Sequence, residues 1–300
     1  MLLKNAEQFA MKTLRAKLRK SINALPFVDT ARRNHRVAYD LIRRKHVSKS
    51  KHTSILHFSL NKSATQYVKK VLCQAATAEK MSCVNLNGYA FHSDFPYLDL
   101  LSRADFEAYQ YLFKPKGYLY SVFGGMVDGL NNLEQYLVVL MIRDPRDILV
   151  SSYYSTAYSH PSPGKHSNKS ADFYEKRQET QQMNVDEYVL KESESVLKVY
   201  NRYLELLIVK HPTCYITKYE DMVADHETWL NSLLEYCQLA IDEKLKANLL
   251  LQNKRLKPKA ENINDHMRKG VAGDFLEKLQ AETIVQLNEK FAHILARFAY

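Results

Sequence analysis

The run Leu137-Val138-Val139-Leu140-Met141-Ile142, closed by Arg143-Asp144-Pro145, narrows the fold more than any other stretch of this chain. Uninterrupted apolarity over so short a length describes a strand buried on both faces, as in a parallel sheet covered by helices on each side; an alternating pattern would describe a half-exposed strand. A helix start follows it. Asp144 can cap, Pro145 suits the first helical position and Asp147 suits the first turn. The same order occurs earlier. Ile55-Leu56-His57-Phe58-Ser59-Leu60 is a short apolar run, and Val68, Val71, Leu72, Ala75 and Ala76 follow at the spacing of one helical face. Further on, Val196, Val199, Tyr200, Tyr203, Leu204, Leu207 and Ile208 trace an amphipathic helix, Cys214 to Thr217 reads as a strand, and Leu287, Phe291, Ile294, Leu295 and Phe298 predict one final helix. Strands alternating with helices predict an α/β fold, a parallel sheet flanked by helices.

With 300 residues, 46% of them hydrophobic, the chain can bury one sizeable core. The expected organisation is a basic N-terminal arm, residues 1–51, and one domain, residues 52–300. The arm holds fourteen Lys or Arg against Glu7, Asp29 and Asp40, a net of +11, so the chain's overall +10 leaves the remaining residues at −1. Leu2, Leu3, Phe9, Ala10, Leu14 and Leu18 share part of one helical face there, which suits peripheral contact with an anionic membrane surface. A solvated basic extension is the plainer alternative. No recognition motif accompanies the charge, so no nucleic acid partner is expected. The four cysteines fall in no CxxC or CxxxC spacing, no apolar run reaches eighteen residues, and the N-terminus is too charged for a signal peptide. A soluble cytoplasmic protein is the expectation. The polar stretch Ser159–Asn184 reads as a mobile loop or lid.

Three segments carry chemistry. Leu60-Asn61-Lys62-Ser63-Ala64-Thr65-Gln66-Tyr67 lies between the first strand and its helix, where backbone N–H groups and a helix N-terminus favour a phosphate or sulfate. Ordinary helix starts share this pattern. The GxxxxGK[ST] phosphate loop is absent, which argues against a kinase. Arg143 leaves the second strand at the edge where open α/β sheets bind ligands, with Ser151 two turns into the following helix; the two could clamp a phosphate, or Arg143 could pair with Asp147. Arg268-Lys269-Gly270-Val271-Ala272-Gly273-Asp274-Phe275 reads as a loop able to close on an anion, or as a surface charge cluster.

Together, in this order, the three segments resemble the signature of sulfotransferases that use 3′-phosphoadenosine 5′-phosphosulfate (PAPS), over roughly residues 52 to 280. Lys62 to Tyr67 resembles the Lys-Ser-Gly-Thr-Thr-Trp loop, Arg143 to Ser151 the 3′-phosphate segment, and Arg268 to Phe275 the Arg-Lys-Gly-x-x-Gly-Asp-Trp loop; Tyr219-Glu220-Asp221 resembles the family's Tyr-Glu-Asp. The resemblance implies a P-loop-NTPase-like sulfotransferase fold, PAPS as sulfuryl donor, no metal requirement and an acceptor with a hydroxyl group, such as a glycan, a lipid-linked sugar or a small metabolite. It implies that Lys62 contacts the 5′-phosphosulfate and takes the catalytic charge-stabilising role, with Ser63, Ala64, Thr65 and Gln66 lining that group. Tyr67 would stack on adenine with Tyr219 nearby, and Arg143, Ser151, Arg268, Lys269 and Gly270 would hold the 3′-phosphate. The chain departs from the pattern at Ala64, Gln66, Tyr67 and Phe275.

An acceptor hydroxyl also needs a general base. Many relatives carry a histidine on the strand before the 3′-phosphate unit, but Gly117 to Phe123 has none, and Val68-Lys69-Lys70-Val71 offers no acid. His92 and Asp128 are the candidates; His57 reads as a core residue, and His160 and His166 belong to the polar stretch. The runner-up is a catalytically silent relative that binds the nucleotide as a regulatory or scaffold module.

Overall fold

The computed structural model describes residues 48–91, 95–163, 170–256, 260–265 and 268–300. The expected arm helix, His92, His166 and His266-Met267 lie outside the described residues. In chain order the elements are β1 (Ile55–Ser59), α1 (Thr65–Ala78), β2 (Ser82–Val84), α2 (Leu86–Phe91), α3 (Arg103–Phe106), β3 (Tyr118–Phe123), β4 (Leu137–Ile142), α4 (Pro145–Tyr154), α5 (Ser170–Gln181), α6 (Val185–Tyr203), β5 (Tyr215–Lys218), α7 (Tyr219–Ala224), α8 (His226–Tyr236), α9 (Glu243–Leu256), α10 (Phe275–Lys278), α11 (Ala281–Lys290) and α12 (Ala292–Phe298).

All five strands pair in parallel, in the order β2-β3-β1-β4-β5. The apolar runs of β1 and β4 sit at its centre because each is covered on both faces. On one face Ile55, Val139 and Met141 pack with Val68, Val71 and Leu72 of α1 and with Trp229, Leu230 and Leu233 of α8. On the other, Phe58 meets Phe123 of β3 and Tyr203 of α6 at ring distances of 5.6 and 6.1 Å, and α6 packs in turn on α4. Side chains alternate between these faces along each strand. At roughly 25 cal/mol per Å² of apolar area, burial of such side chains on both faces is what holds a parallel sheet together.

The register matters most between β1 and β4, where Ser59 pairs with Met141 and Leu60 N–H donates to Met141 O at 3.2 Å. Both strands therefore end side by side, and the loop carrying Lys62 emerges next to Arg143. The helix start after β4 forms as its residues dictate: the Asp144 carboxylate accepts from Arg146 N–H at 2.9 Å, and Pro145 occupies the first turn. Beyond Tyr154 the helix continues as a π-turn over Ser155–Ser159 and stops at His160, whose backbone is extended.

Two expectations are corrected. The polar stretch from Ser159 to Asn184 contains the twelve-residue helix α5, of which Thr180 is the one buried residue. A helix with almost no apolar face carries no periodicity for the sequence to display. The single C-terminal helix is two, α11 and α12, divided at Phe291 (φ −97°, ψ 8°). Leu287, Phe291, Ile294 and Phe298 are all buried as expected, because the fully buried Phe291 anchors both pieces and the apolar spacing runs through the break.

Candidate active site

The loop after β1 is built on two left-handed residues, Lys62 (φ 72°) and Ala64 (φ 56°). Such a curl turns backbone N–H groups to one side and makes an anion concavity. Ala64, the position where a glycine is conformationally easiest, is also the N-cap of α1, and no side chain caps that helix. Thr65 does not offer its hydroxyl outward; its Oγ1 donates to Leu60 O at 3.1 Å and lies 3.0 Å from Ser59 Oγ. Gln66 is exposed and accepts from Lys69 Nζ at 2.6 Å. Tyr67 is 8% exposed, packed against His226 and Trp229, with its hydroxyl 2.6 Å from His226 Nε2.

That leaves Lys62, half-buried, and Ser63, fully buried. The Ser63 Oγ is buried and has no hydrogen-bond partner. Burial and then the charges of Arg143 and Arg268 press the Lys62 ammonium down to about 8 from its ordinary 10.5, and no carboxylate counters them.

Arg143 ties the segments together. Its guanidinium donates to Lys62 O at 3.0 Å, to Val271 O at 2.9 Å and to Asp147 Oδ2 at 3.2 Å, and lies 4.1 Å over the Tyr219 ring. Tyr200 OH donates to Arg143 O. The buried Nε of Arg143 is left without a partner. Asp147, fully buried, accepts from Gly273 N–H at 2.8 Å and Phe275 N–H at 3.0 Å, so the third segment is latched onto the start of α4. Gly273 (φ 77°) and Gly270 (φ 69°) supply the left-handed turns this latch requires. Ser151 sits half-buried two turns into α4.

Arg268 and Lys269 are already engaged. Arg268 pairs with Glu261 and Asp274 and stacks over Tyr154 at 4.2 Å, and Lys269 reaches Asp274 at 2.9 Å and also Glu277. Of the two readings of Arg143, the pairing with Asp147 is the one the structure displays, and the same guanidinium also faces the Lys62 loop.

Lys62, Ser63, Arg143, Tyr219 and Arg268 are thus brought to one edge of the sheet. Asp128 is not among them. It was expected near the carboxyl edge, but it lines a cavity of about 450 Å³ with Asn131, Lys210 and His211. Those neighbours lead into β4 and β5, so the cavity lies at the sheet's opposite edge; the chain descends after Gly125 to begin β4, carrying Asp128 with it. His57 is fully buried, its Nδ1 2.8 Å from Ser121 Oγ, and burial followed by the charge of Lys69 lowers it to about 3. The sequence offers Asp147 as a helix-start residue and as a partner for Arg143; its hold on the Gly273 and Phe275 N–H groups has no sequence signal. His160, assigned to the polar stretch, lies close enough for the Lys62 charge to act on its imidazole.

The donor set suits an anion with more than one phosphate or sulfate group: an orphaned buried hydroxyl on Ser63, an orphaned guanidinium N–H on Arg143 and an uncompensated ammonium on Lys62.

Residues 52–299 match the family described as the sulfotransferase domain, and the chain belongs to that family. No curated protein matches it. Among solved structures it is similar to a mouse sulfotransferase complexed with PAP, at 14% identity over 86% of this chain and 89% of that one, with a TM-score of 0.48. A sulfotransferase from Mycobacterium avium is 12% identical over 92% and 88% of the two chains, with a TM-score of 0.47. Retinol dehydratase in a complex with retinol and PAP is 16% identical over 88% and 86%, with a TM-score of 0.47.

Proposed function

We propose that this chain transfers a sulfuryl group from PAPS, bound as a substrate, to a hydroxyl-bearing acceptor, residues 52–300 forming the catalytic domain. The observation that carries the reading is the uncompensated Lys62, pressed by Arg143 and Arg268, beside the unpartnered Ser63 Oγ and Arg143 Nε. A buried cation held among other cations costs stability unless a bound anion offsets it. Family membership makes a sulfuryl donor the natural anion, and the order of the three segments favours PAPS.

In this reading Lys62, Ser63 and the backbone of Ala64 hold the 5′-phosphosulfate. Lys62 takes up the charge that accumulates on the leaving oxygen, a role that asks only for fixed cations and amides. Arg143 and Ser151 hold the 3′-phosphate with Gly270, while Arg268 and Lys269 exchange part of their carboxylate contacts for it. Tyr67 and Tyr219 flank the adenine. The basic arm would bring the domain to an anionic surface or acceptor.

The test is calorimetric binding of 3′-phosphoadenosine 5′-phosphate (PAP) without magnesium, comparing the native chain with Arg143→Ala, followed by transfer of labelled sulfate from PAPS to a panel of hydroxyl acceptors. Binding lost on substitution, with transfer, is the expected result. A folded native chain that fails to bind the nucleotide overturns the donor assignment, and binding without transfer to any acceptor identifies the silent relative.

A further inference from the structure

The reaction proposed above lacks a base in the places where the family resemblance looks for one: β3 carries no histidine and the start of α1 carries no acid. Asp99, the buried carboxylate beside the end of β3, is committed to Gly124 N–H, Gly125 N–H and Asn87 Nδ2 at 2.7 to 2.9 Å. Four other described histidines are engaged elsewhere. His52 meets Thr53 O and Gln238 O, His211 meets Leu133 O and Thr213, His226 meets Tyr67 OH, and His293 meets Asn201. His57 is sealed in the core.

His160 is differently placed. It terminates the π-turn that extends α4, and Thr156 of that turn lines a cavity of about 270 Å³ together with Leu60 and Asn61, the residues that lead into Lys62. Its Nδ1 lies 2.8 Å from Pro161 O. A carbonyl can only accept, so Nδ1 carries the proton and the neutral ring keeps its lone pair on Nε2, which has no partner among the described residues. The ring is held between Phe91 and Phe173 at centroid distances of 5.7 and 5.8 Å. The backbone on either side is fixed as well. His160 N–H donates to Ser155 O at 2.7 Å, and Arg177 donates to His160 O and, at 3.0 Å, to Thr156 O. A half-buried imidazole with a fixed tautomer, an open Nε2 and a place in the field of Lys62 is what a general base beside the sulfuryl group requires.

We propose that His160 is the general base of this enzyme, its Nε2 accepting the proton of the acceptor hydroxyl; the inference rests on the sulfotransferase reading. As the proton moves to Nε2, the acceptor oxygen bonds to sulfur and the sulfur–oxygen bond to the 5′-phosphate breaks. The electron pair of that bond leaves on the phosphate oxygen, opposite Lys62. The groups that act on the imidazole are consistent with this role: burial first, then Lys62 and Arg177, hold its pKa below the ordinary 6.5 against the Pro161 carbonyl, so the ring is neutral at pH 7. Bound anion neutralises Lys62 and moves the imidazole back up.

Three measurements on the full chain test it. In the native protein, imidazole ¹⁵N spectra should show the Nδ1–H tautomer for His160, a titration below 6.5 and an upward shift on adding PAP; an Nε2–H tautomer, or a titration indifferent to bound PAP, overturns the proposal. Calorimetry should find PAP affinity in His160→Asn within about twofold of native, since the asparagine amide can still donate to Pro161 O; native protein that does not bind sinks the donor reading instead. Sulfuryl transfer from PAPS to phenol should fall about a hundredfold or more in His160→Asn, whereas transfer to p-nitrophenol, which ionises without help, should fall only a few fold. Equal losses for the two acceptors would make His160 merely structural, and no loss would remove it from the mechanism.

Discussion

Replacing Ala64 by glycine should make the protein more stable, against the usual direction of such a change. Ala64 sits at φ 56°, ψ 26°, the left-handed region, where a Cβ crowds the following carbonyl at a cost of about 1–2 kcal/mol. Glycine removes that crowding but gives the unfolded chain extra freedom, which takes back about 0.4–1 kcal/mol. The balance is a gain of about 0.5–1 kcal/mol, or roughly 1–4 °C in Tm for a chain of this size. Urea denaturation of the full chain should show a higher midpoint at an unchanged slope. Ala76, fully buried in α1, provides the contrast: Ala76→Gly loses helix propensity and a buried methyl, about 1–2 kcal/mol in the opposite direction. If Ala64→Gly is neutral or destabilising while Ala76→Gly behaves as stated, Ala64 is not held left-handed and the curl of the Lys62 loop is wrong. PAP affinity should stay within about twofold, because the N–H directions do not depend on the methyl.

Arg143→Lys keeps the charge but cannot reproduce a fork that reaches Lys62 O and Val271 O while stacking on Tyr219, so PAP should bind at least about tenfold more weakly by calorimetry. Asp147→Asn sets an amide against the N–H groups of Gly273 and Phe275; hydrogen exchange at both should accelerate, with about 1.5–3 kcal/mol lost per charged hydrogen bond broken. Lys62 is lowered to about 8 in the free protein, so affinity for PAP should decline as pH rises through 8. Binding near that pH should take up protons, seen as a buffer-dependent enthalpy that Lys62→Met abolishes. His57 is depressed from 6.5 to about 3 by burial, so the stability it confers is complete above 6.5 and is lost as pH falls, at about 1.4 kcal/mol per unit. Chemical denaturation between pH 6.5 and 4.5 should show that slope in the native chain and a flatter one in His57→Gln.

The central strands were legible because a doubly buried strand leaves an apolar run that no other short element shares, and the capped start of α4 because Asp144 and Pro145 each act on their own backbone. The loop's position was legible for the same local reason. Its conformation was not: nothing in Lys-Ser-Ala-Thr announces that Lys62 and Ala64 turn left-handed. Helix α5 escaped because one buried residue in twelve gives no period. Asp128 lies away from the Lys62 loop for a topological reason: the chain after β3 descends toward the start of β4 and carries Asp128 into the cavity beside His211. The fate of the cations carries the argument one step further. Arg268 and Lys269 look in sequence like free positive charge, yet together with Lys278 they are matched by Glu261, Asp274 and Glu277. Lys62 has no such carboxylate partner among the described residues. Substitution of Lys269 should accordingly weaken PAP binding less than substitution of Lys62.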